Sequence, residues 1–242
     1  AHAVSSTAVA APTPPGSRVL LMRALSAIEE ESAVEALSSG GNPEEVLAEL
    51  ANVPMRRRDM ATLQPLQWLN DEVVNLFFKI LEHRASSDVG LPPCCFMNSL
   101  FYPKLAESAV GKSPVGYNYV NVERWTRGMH VFSMAMVLVP IHCHGNHWTL
   151  AVINLPKRRF EYYDSLRGSP GLVLFYLRQW LLDESMHKLG QFLDLSDWED
   201  VCYKAGTPQQ TNGHDCGVFM CKTADYIAQD GVLDFGQIDM SY

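Results

Sequence analysis

No apolar run in this chain approaches the roughly 18 residues that a membrane-crossing helix needs, so no transmembrane span is expected. The Ala-rich start lacks the basic, apolar, small-residue order of a secretory signal. The six cysteines include no CxxC pair and no regular framework, which argues against a disulfide scaffold and fits a reducing compartment. No internal repeat is visible. Basic charge is short: 19 Lys and Arg stand against 27 Asp and Glu, a net charge of −8. That balance argues against nucleic acid or an anionic membrane as partner, and for a partner with a basic face. A sizeable core is nevertheless possible, since 47% of the 242 residues are hydrophobic and 10% aromatic. The length suits one large domain, or one domain with an extension.

Residues 1–17 are mostly Ala, Ser, Thr and Pro without periodicity, and read as a disordered tail or an expression remnant. Val19, Met22, Leu25 and Ile28 then recur at helical spacing, with Glu29, Glu30 and Glu31 opposite. They predict a helix over 18–37 closed by Ser38-Ser39-Gly40-Gly41, so 18–40 reads as a helical extension. Asn42-Pro43-Glu44-Glu45 predicts a second helix start. Arg56-Arg57-Arg58 reads as a solvated loop or strand edge. A helix is predicted within 59–84, with Asn70 and Asp71 at its cap and Glu72 in its first turn. Val73, Val74, Phe77, Phe78, Ile80 and Leu81 form its expected buried face. A mostly apolar helix follows over 94–102, then a loop over 111–118. Three buried strands are predicted at 131–140, 147–154 and 160–164, before a long amphipathic helix over 171–189 that carries Trp180. Helices, then three successive strands, then helices describe an α+β chain rather than repeated βαβ units.

The chemistry concentrates in Gln210-Thr211-Asn212-Gly213-His214-Asp215-Cys216-Gly217. Asn212-Gly213 signals a turn, and Asp215 is a good cap type before Val218, Cys221, Ala224, Ile227 and Ala228 at helical spacing. Cys216 therefore falls in the first turn of a helix. Free backbone N–H groups and the positive end of the macrodipole favour a thiolate there. A catalytic thiol needs a base, and the base an orienting group. Among eight histidines, His147 opens the most convincing strand, and Asp164 closes the next. A hairpin centred between Leu155 and Pro156 sets these two directly opposite, with Cβ atoms about 5 Å apart. Gln210, six residues before the thiol and across a turn, can return its carboxamide to a developing oxyanion, with the Cys216 N–H as second donor. His214 is expected to face solvent.

His147-Trp148, Tyr163-Asp164-Ser165-Leu166 and the stretch from Gln209 to Gly217 resemble the Ulp/SENP family of cysteine proteases, which remove SUMO and related ubiquitin-like proteins. Trp68-Leu69-Asn70-Asp71-Glu72-Val73 and Val139-Pro140-Ile141-His142 fit the same family, and the motifs follow its chain order from about residue 40 onward. The resemblance implies a papain-like α+β fold, a central mostly antiparallel sheet flanked by helices, over a catalytic domain spanning 41–242. It implies a triad of His147, Asp164 and Cys216, with Gln210 in the oxyanion hole. It also implies that Trp68 and Trp148 clamp the substrate's Gly-Gly tail; two indoles can wall a tunnel that admits only residues without side chains. Asp71 matches a position that contacts the ubiquitin-like body, while remaining a helix-cap residue. The family usually continues through a further C-terminal helix past the point matching Tyr242. No cofactor and no metal are implied. The expected partner is SUMO or a related protein such as NEDD8, met by a monomer with nuclear or cytoplasmic residence. A zinc cluster of His142, His144 and His147 is disfavoured by their mixed faces and the lack of a Cys pair. A triad-bearing acetyltransferase typically carries Glu where Asp164 stands, and a dead binding module would not retain all four catalytic residue types.

Overall fold

The computed structural model describes residues 26–38, 40–107, 116–143, 145–203 and 206–240. The predicted tail over 1–17, the first apolar positions of the predicted first helix and most of the predicted 111–118 loop lie outside them. In chain order the elements are α1 (Ala27–Leu37), β1 (Val46–Leu50), β2 (Val53–Arg56), α2 (Arg57–Met60), α3 (Asp71–Ser87), β3 (Cys94–Phe96) and α4 (Phe101–Leu105). They continue as β4 (Met136–Cys143), β5 (His147–Asn154), β6 (Arg159–Tyr163), α5 (Val173–Leu189), β7 (Glu199–Tyr203) and α6 (Cys216–Ala228).

A five-stranded sheet in the order β3-β4-β5-β6-β7 divides two cores. Side chains alternate across a strand, so Val137, Val139, Ile141, Ala151, Ile153, Phe160 and Tyr162 point one way, onto α4 and α5. Met136, Leu138, Trp148, Leu150 and Val152 point the other way, onto α3 and α6. Three layers result, α+β as expected. The central pairs β4–β5 and β5–β6 are antiparallel, whereas the edge strands β3 and β7 join in parallel.

Several local expectations fail for physical reasons. The predicted helix start at 42–45 becomes a turn into the β1–β2 hairpin. Ala51 and Asn52 both adopt positive φ, 50° and 63°, the two-residue turn whose twist suits a hairpin. The predicted helix over 94–102 splits: Cys94–Phe96 pairs with β4, and Asn98 Oδ1 then accepts the Leu100 N–H (2.9 Å), closing a turn before α4. The strand predicted over 131–140 shifts to 136–143 and runs through Pro140. β3 stops pairing at Leu138, so Pro140 lies where β4 has a neighbour only in β5. The helix predicted from residue 59 breaks at 61–70 and restarts as α3, with Asn70 Oδ1 capping the Val73 N–H (3.0 Å). α3 buries Val73, Val74, Phe78 and Leu81; Ile80 turns outward instead. The basic run is not merely solvated, since Arg57 pairs with Glu45 and donates to the Glu35 carbonyl of α1 (3.1 Å). α5 ends where Gly190 takes φ 71° and donates to the Met186 carbonyl.

Candidate active site

Cys216 is the first residue of α6, where the earliest N–H groups have no partner within the helix. The turn before it is built by Asn212, whose Oδ1 accepts the N–H groups of His214 (3.2 Å) and Asp215 (3.1 Å). Asp215 occupies the cap position but does not cap with its side chain. Its Oδ2 instead accepts Asn212 Nδ2 (2.7 Å) and Gln237 Nε2 (2.6 Å), which outcompete the helix N–H groups. Gly217 packs against Leu69 so closely that a Cβ there would meet the Leu69 side chain at 2.9 Å. The start of α6 is thereby seated on the 66–70 segment.

His147 opens β5 and Asp164 follows the last residue of β6. The β5–β6 ladder pairs Asn154 with Arg159 and Leu150 with Tyr163, a register two residues from the one expected. The cause is the turn: Leu155 to Arg158 forms the connection, closed by the Arg158 N–H on the Leu155 carbonyl (3.2 Å) with Arg158 at φ 52°. A slip of two keeps every side chain on its face. Asp164 therefore still reaches His147, with Oδ1 2.8 Å from Nε2, although the two are not directly opposite. The Cys216 thiol stands close enough to the same ring to raise its proton affinity. Asp164 engages Nε2, which leaves Nδ1 as the nitrogen available to the thiol.

The backbone holds these groups. Asp164 Oδ1 also accepts the Leu166 N–H (2.8 Å), and Oδ2 accepts the Gly168 N–H (2.9 Å). A Cβ at residue 168 would stand 2.3 Å from Oδ2, so only glycine fits this approach. Burial pushes the Asp164 carboxyl up, but His147 and the two N–H donors outweigh it and hold the group below the usual carboxylate range. Hydrogen bonds to Asp164 and then Cys216 raise His147 to about 10 against the opposing effect of burial. At Cys216 burial again pushes upward. His147, the Trp148 N–H and the Gly217 N–H together bring the thiol below its ordinary value. The favoured state is thus a thiolate beside an imidazolium.

Gln210 is buried against the same turn, donating Nε2–H to the Asn212 carbonyl (2.7 Å). Trp148 is 2% exposed, stacks on His142 at 4.2 Å and donates Nε1–H to the Leu69 carbonyl (2.8 Å). Trp68 is 52% exposed and donates Nε1–H to the Gly213 carbonyl (2.9 Å). Both indoles are thereby tied to the segments that flank the thiol. Asp71 is exposed in the first turn of α3, and its charge reaches the ring of His142. His214, expected in solvent, is partly buried, with Nε2 3.6 Å from Asp215 Oδ1. His144 lies outside the described residues, and among those described no three His, Cys, Asp or Glu gather as a metal site would require. Sequence reasoning gave no role to Ser165, Gly168 or Gly217, although each lies in or beside a motif; close packing is invisible in residue spacing.

Residues 67–241 match the Ulp1 protease family, C-terminal catalytic domain. The chain is 38% identical over 201 residues to Sentrin-specific protease 2 of Rattus norvegicus, which covers 83% of this chain and 32% of that protein. It is 37% identical over 221 residues to Ubiquitin-like-specific protease ESD4 of Arabidopsis thaliana, covering 88% and 44%. The chain therefore spans less than half the length of either relative. Its fold is similar to the crystal structure of the C-terminal Ulp1 protease domain in complex with Smt3, the yeast ortholog of SUMO. There the TM-score is 0.74 at 29% identity, over 91% of each chain. On this sequence match over most of its length, and on the fold it shares, the chain belongs to the Ulp1 protease family.

Proposed function

We propose that this chain is a cysteine isopeptidase or processing protease that cleaves after the Gly-Gly terminus of SUMO. The observation that carries the reading is the His147–Asp164 hydrogen bond (2.8 Å) beside Cys216 at the start of α6. The Cys216 thiolate attacks the carbonyl carbon of the terminal glycine, and its electron pair passes to the carbonyl oxygen. The remaining Gln210 Nε2–H and the free Cys216 N–H hold that oxyanion. As the C–N bond breaks, the His147 Nδ1 proton goes to the leaving amine, and a thioester remains on Cys216. Water then attacks the thioester, His147 takes its proton, and the carboxylate departs as the thiolate is restored. Asp164 keeps the imidazole oriented and stabilises its charge. Trp68 and Trp148 wall the tail, and Asp71 meets the ubiquitin-like body.

The relatives named above act on sentrin or ubiquitin-like proteins by their names, and the neighbouring structure holds Smt3. The acidic balance of the chain agrees with a partner that offers basic charge. No described helix is long and apolar enough to cross a membrane. The proposed setting is nuclear or cytoplasmic, with residues 18–40 as an extension to a monomeric catalytic domain over 41–242. The test is hydrolysis of a panel of C-terminal fluorogenic conjugates of SUMO, NEDD8 and ubiquitin. The SUMO conjugate is expected to be cleaved about 100-fold faster than the others by kcat/KM. A NEDD8 conjugate cleaved faster would overturn the substrate, and no cleavage of any conjugate would overturn the activity.

A further inference from the structure

We propose that Ser165 is a positioning residue that fixes which end of the Gln210 carboxamide faces the reacting carbonyl. The inference rests on the reading of Gln210 as an oxyanion donor and adds what makes it one. A carboxamide is nearly symmetric in shape, but its two ends are opposite in chemistry. Turned one way it offers N–H to the oxyanion; turned the other it offers a lone pair, which repels it. Two contacts distinguish these states. The Asn212 carbonyl, 2.7 Å from Nε2, can only accept, so it selects the nitrogen end. The Ser165 hydroxyl, 2.5 Å from Oε1, donates to the oxygen end. Ser165 and Gln210 are 8% and 7% exposed, so water is a poor substitute for either contact. One Nε2–H is spent on Asn212, which leaves the second free for substrate.

The backbone makes the pairing tight. The Gln210 N–H donates to the Ser165 carbonyl (3.1 Å), so Ser165 holds residue 210 by main chain and side chain together. Ser165 also directly follows Asp164, within the turn that carries the Leu166 and Gly168 N–H groups. Gln209 braces the same junction, accepting Arg167 Nε–H (3.1 Å) and donating to the Pro208 carbonyl (3.0 Å). The group that orients His147 and the group that orients Gln210 are therefore neighbours in one short turn. Without the hydroxyl, Oε1 is left buried without its donor, and the amide turns or shifts to find one.

The test is a double-mutant cycle on hydrolysis of a SUMO C-terminal fluorogenic conjugate, with folding checked by thermal unfolding. Gln210→Ala is expected to lower kcat by about 10²-fold, the usual scale for one oxyanion donor. Ser165→Ala is expected to lower kcat by about tenfold with KM within about twofold, because a misturned amide harms the transition state and not binding. Ser165→Thr keeps the hydroxyl, so it is expected to recover most of the loss. The double variant Ser165→Ala/Gln210→Ala is expected to match Gln210→Ala alone, since nothing remains to position. The pH dependence of Cys216 alkylation in Ser165→Ala should equal that of the unaltered protein, because the contacts of His147 are untouched. Additive losses in the cycle, an unchanged kcat in Ser165→Ala or a shifted alkylation profile would overturn the inference while leaving the triad in place. Full activity in Gln210→Ala would instead overturn the oxyanion reading on which it depends.

Discussion

Cys216→Ala is expected to lower cleavage of a SUMO fusion by roughly 10⁴ to 10⁶, with substrate binding retained. The substitution removes one atom from a residue at a helix start, where alanine is well tolerated. Cys216 is 2% exposed and packed beside Trp148 and Met220, so the loss of sulfur leaves a small void and no unpaired charge. His147 keeps its Asp164 partner, and Gly217 keeps its seat on Leu69. The chemistry disappears while the surface that meets the substrate remains. Gel-based cleavage and a binding titration on one preparation measure the two effects separately. Turnover within tenfold of the unaltered protein would remove Cys216 as nucleophile.

The second large effect is expected at Asp164. Asp164→Asn keeps the shape and should lower kcat by roughly 10³ to 10⁴. Both carboxylate oxygens act as acceptors, Oδ1 for His147 and the Leu166 N–H, Oδ2 for the Gly168 N–H. An amide nitrogen has to replace one of them. Facing His147, it forces the ring to turn its lone pair outward and carry its proton on Nδ1, away from the base role. Facing Gly168, it sets a donor against a donor in a space that admits no Cβ. Either choice also removes the negative charge that holds the proton on His147, and with it the support for the thiolate. Steady-state kinetics on the fluorogenic conjugate check this, and an Asn variant within tenfold of normal kcat would contradict it.

The gathering of Cys216, His147 and Asp164 is legible in the sequence because each member carries a local signal. A Gly-containing turn announces the start of α6, and the His147 and Asp164 strands alternate or run apolar. Parity did the rest: the predicted β5–β6 register was wrong by two residues, but an even slip preserves the faces. The turn length responsible depends on one residue, Arg158, adopting positive φ, which spacing does not reveal. β7 was missed because its edge position needs little apolar pattern; Glu199 and Asp200 are exposed and ion-paired to Arg159 and Arg178. β3 was missed because three apolar residues next to a helix read as part of it. Asp215 has the right type for a cap, yet distant Gln237 claims its side chain. Ser165 and Gly168 act through contacts of 2.5 and 2.9 Å across a folded turn, and contacts of that kind appear only in three dimensions.

The charge state of the thiol tests the account most directly. His147 is raised to about 10 and Cys216 is lowered, so the thiolate and imidazolium coexist below the ordinary thiol range. The measurement is the rate of Cys216 alkylation by iodoacetamide against pH, in the unaltered protein and in His147→Ala. The unaltered protein is predicted to reach its full thiolate rate at a lower pH than an ordinary cysteine does. His147→Ala is predicted to move the midpoint upward, toward that of an unassisted buried thiol. A midpoint at or above the ordinary cysteine value in the unaltered protein, or one that His147→Ala leaves in place, would contradict the account.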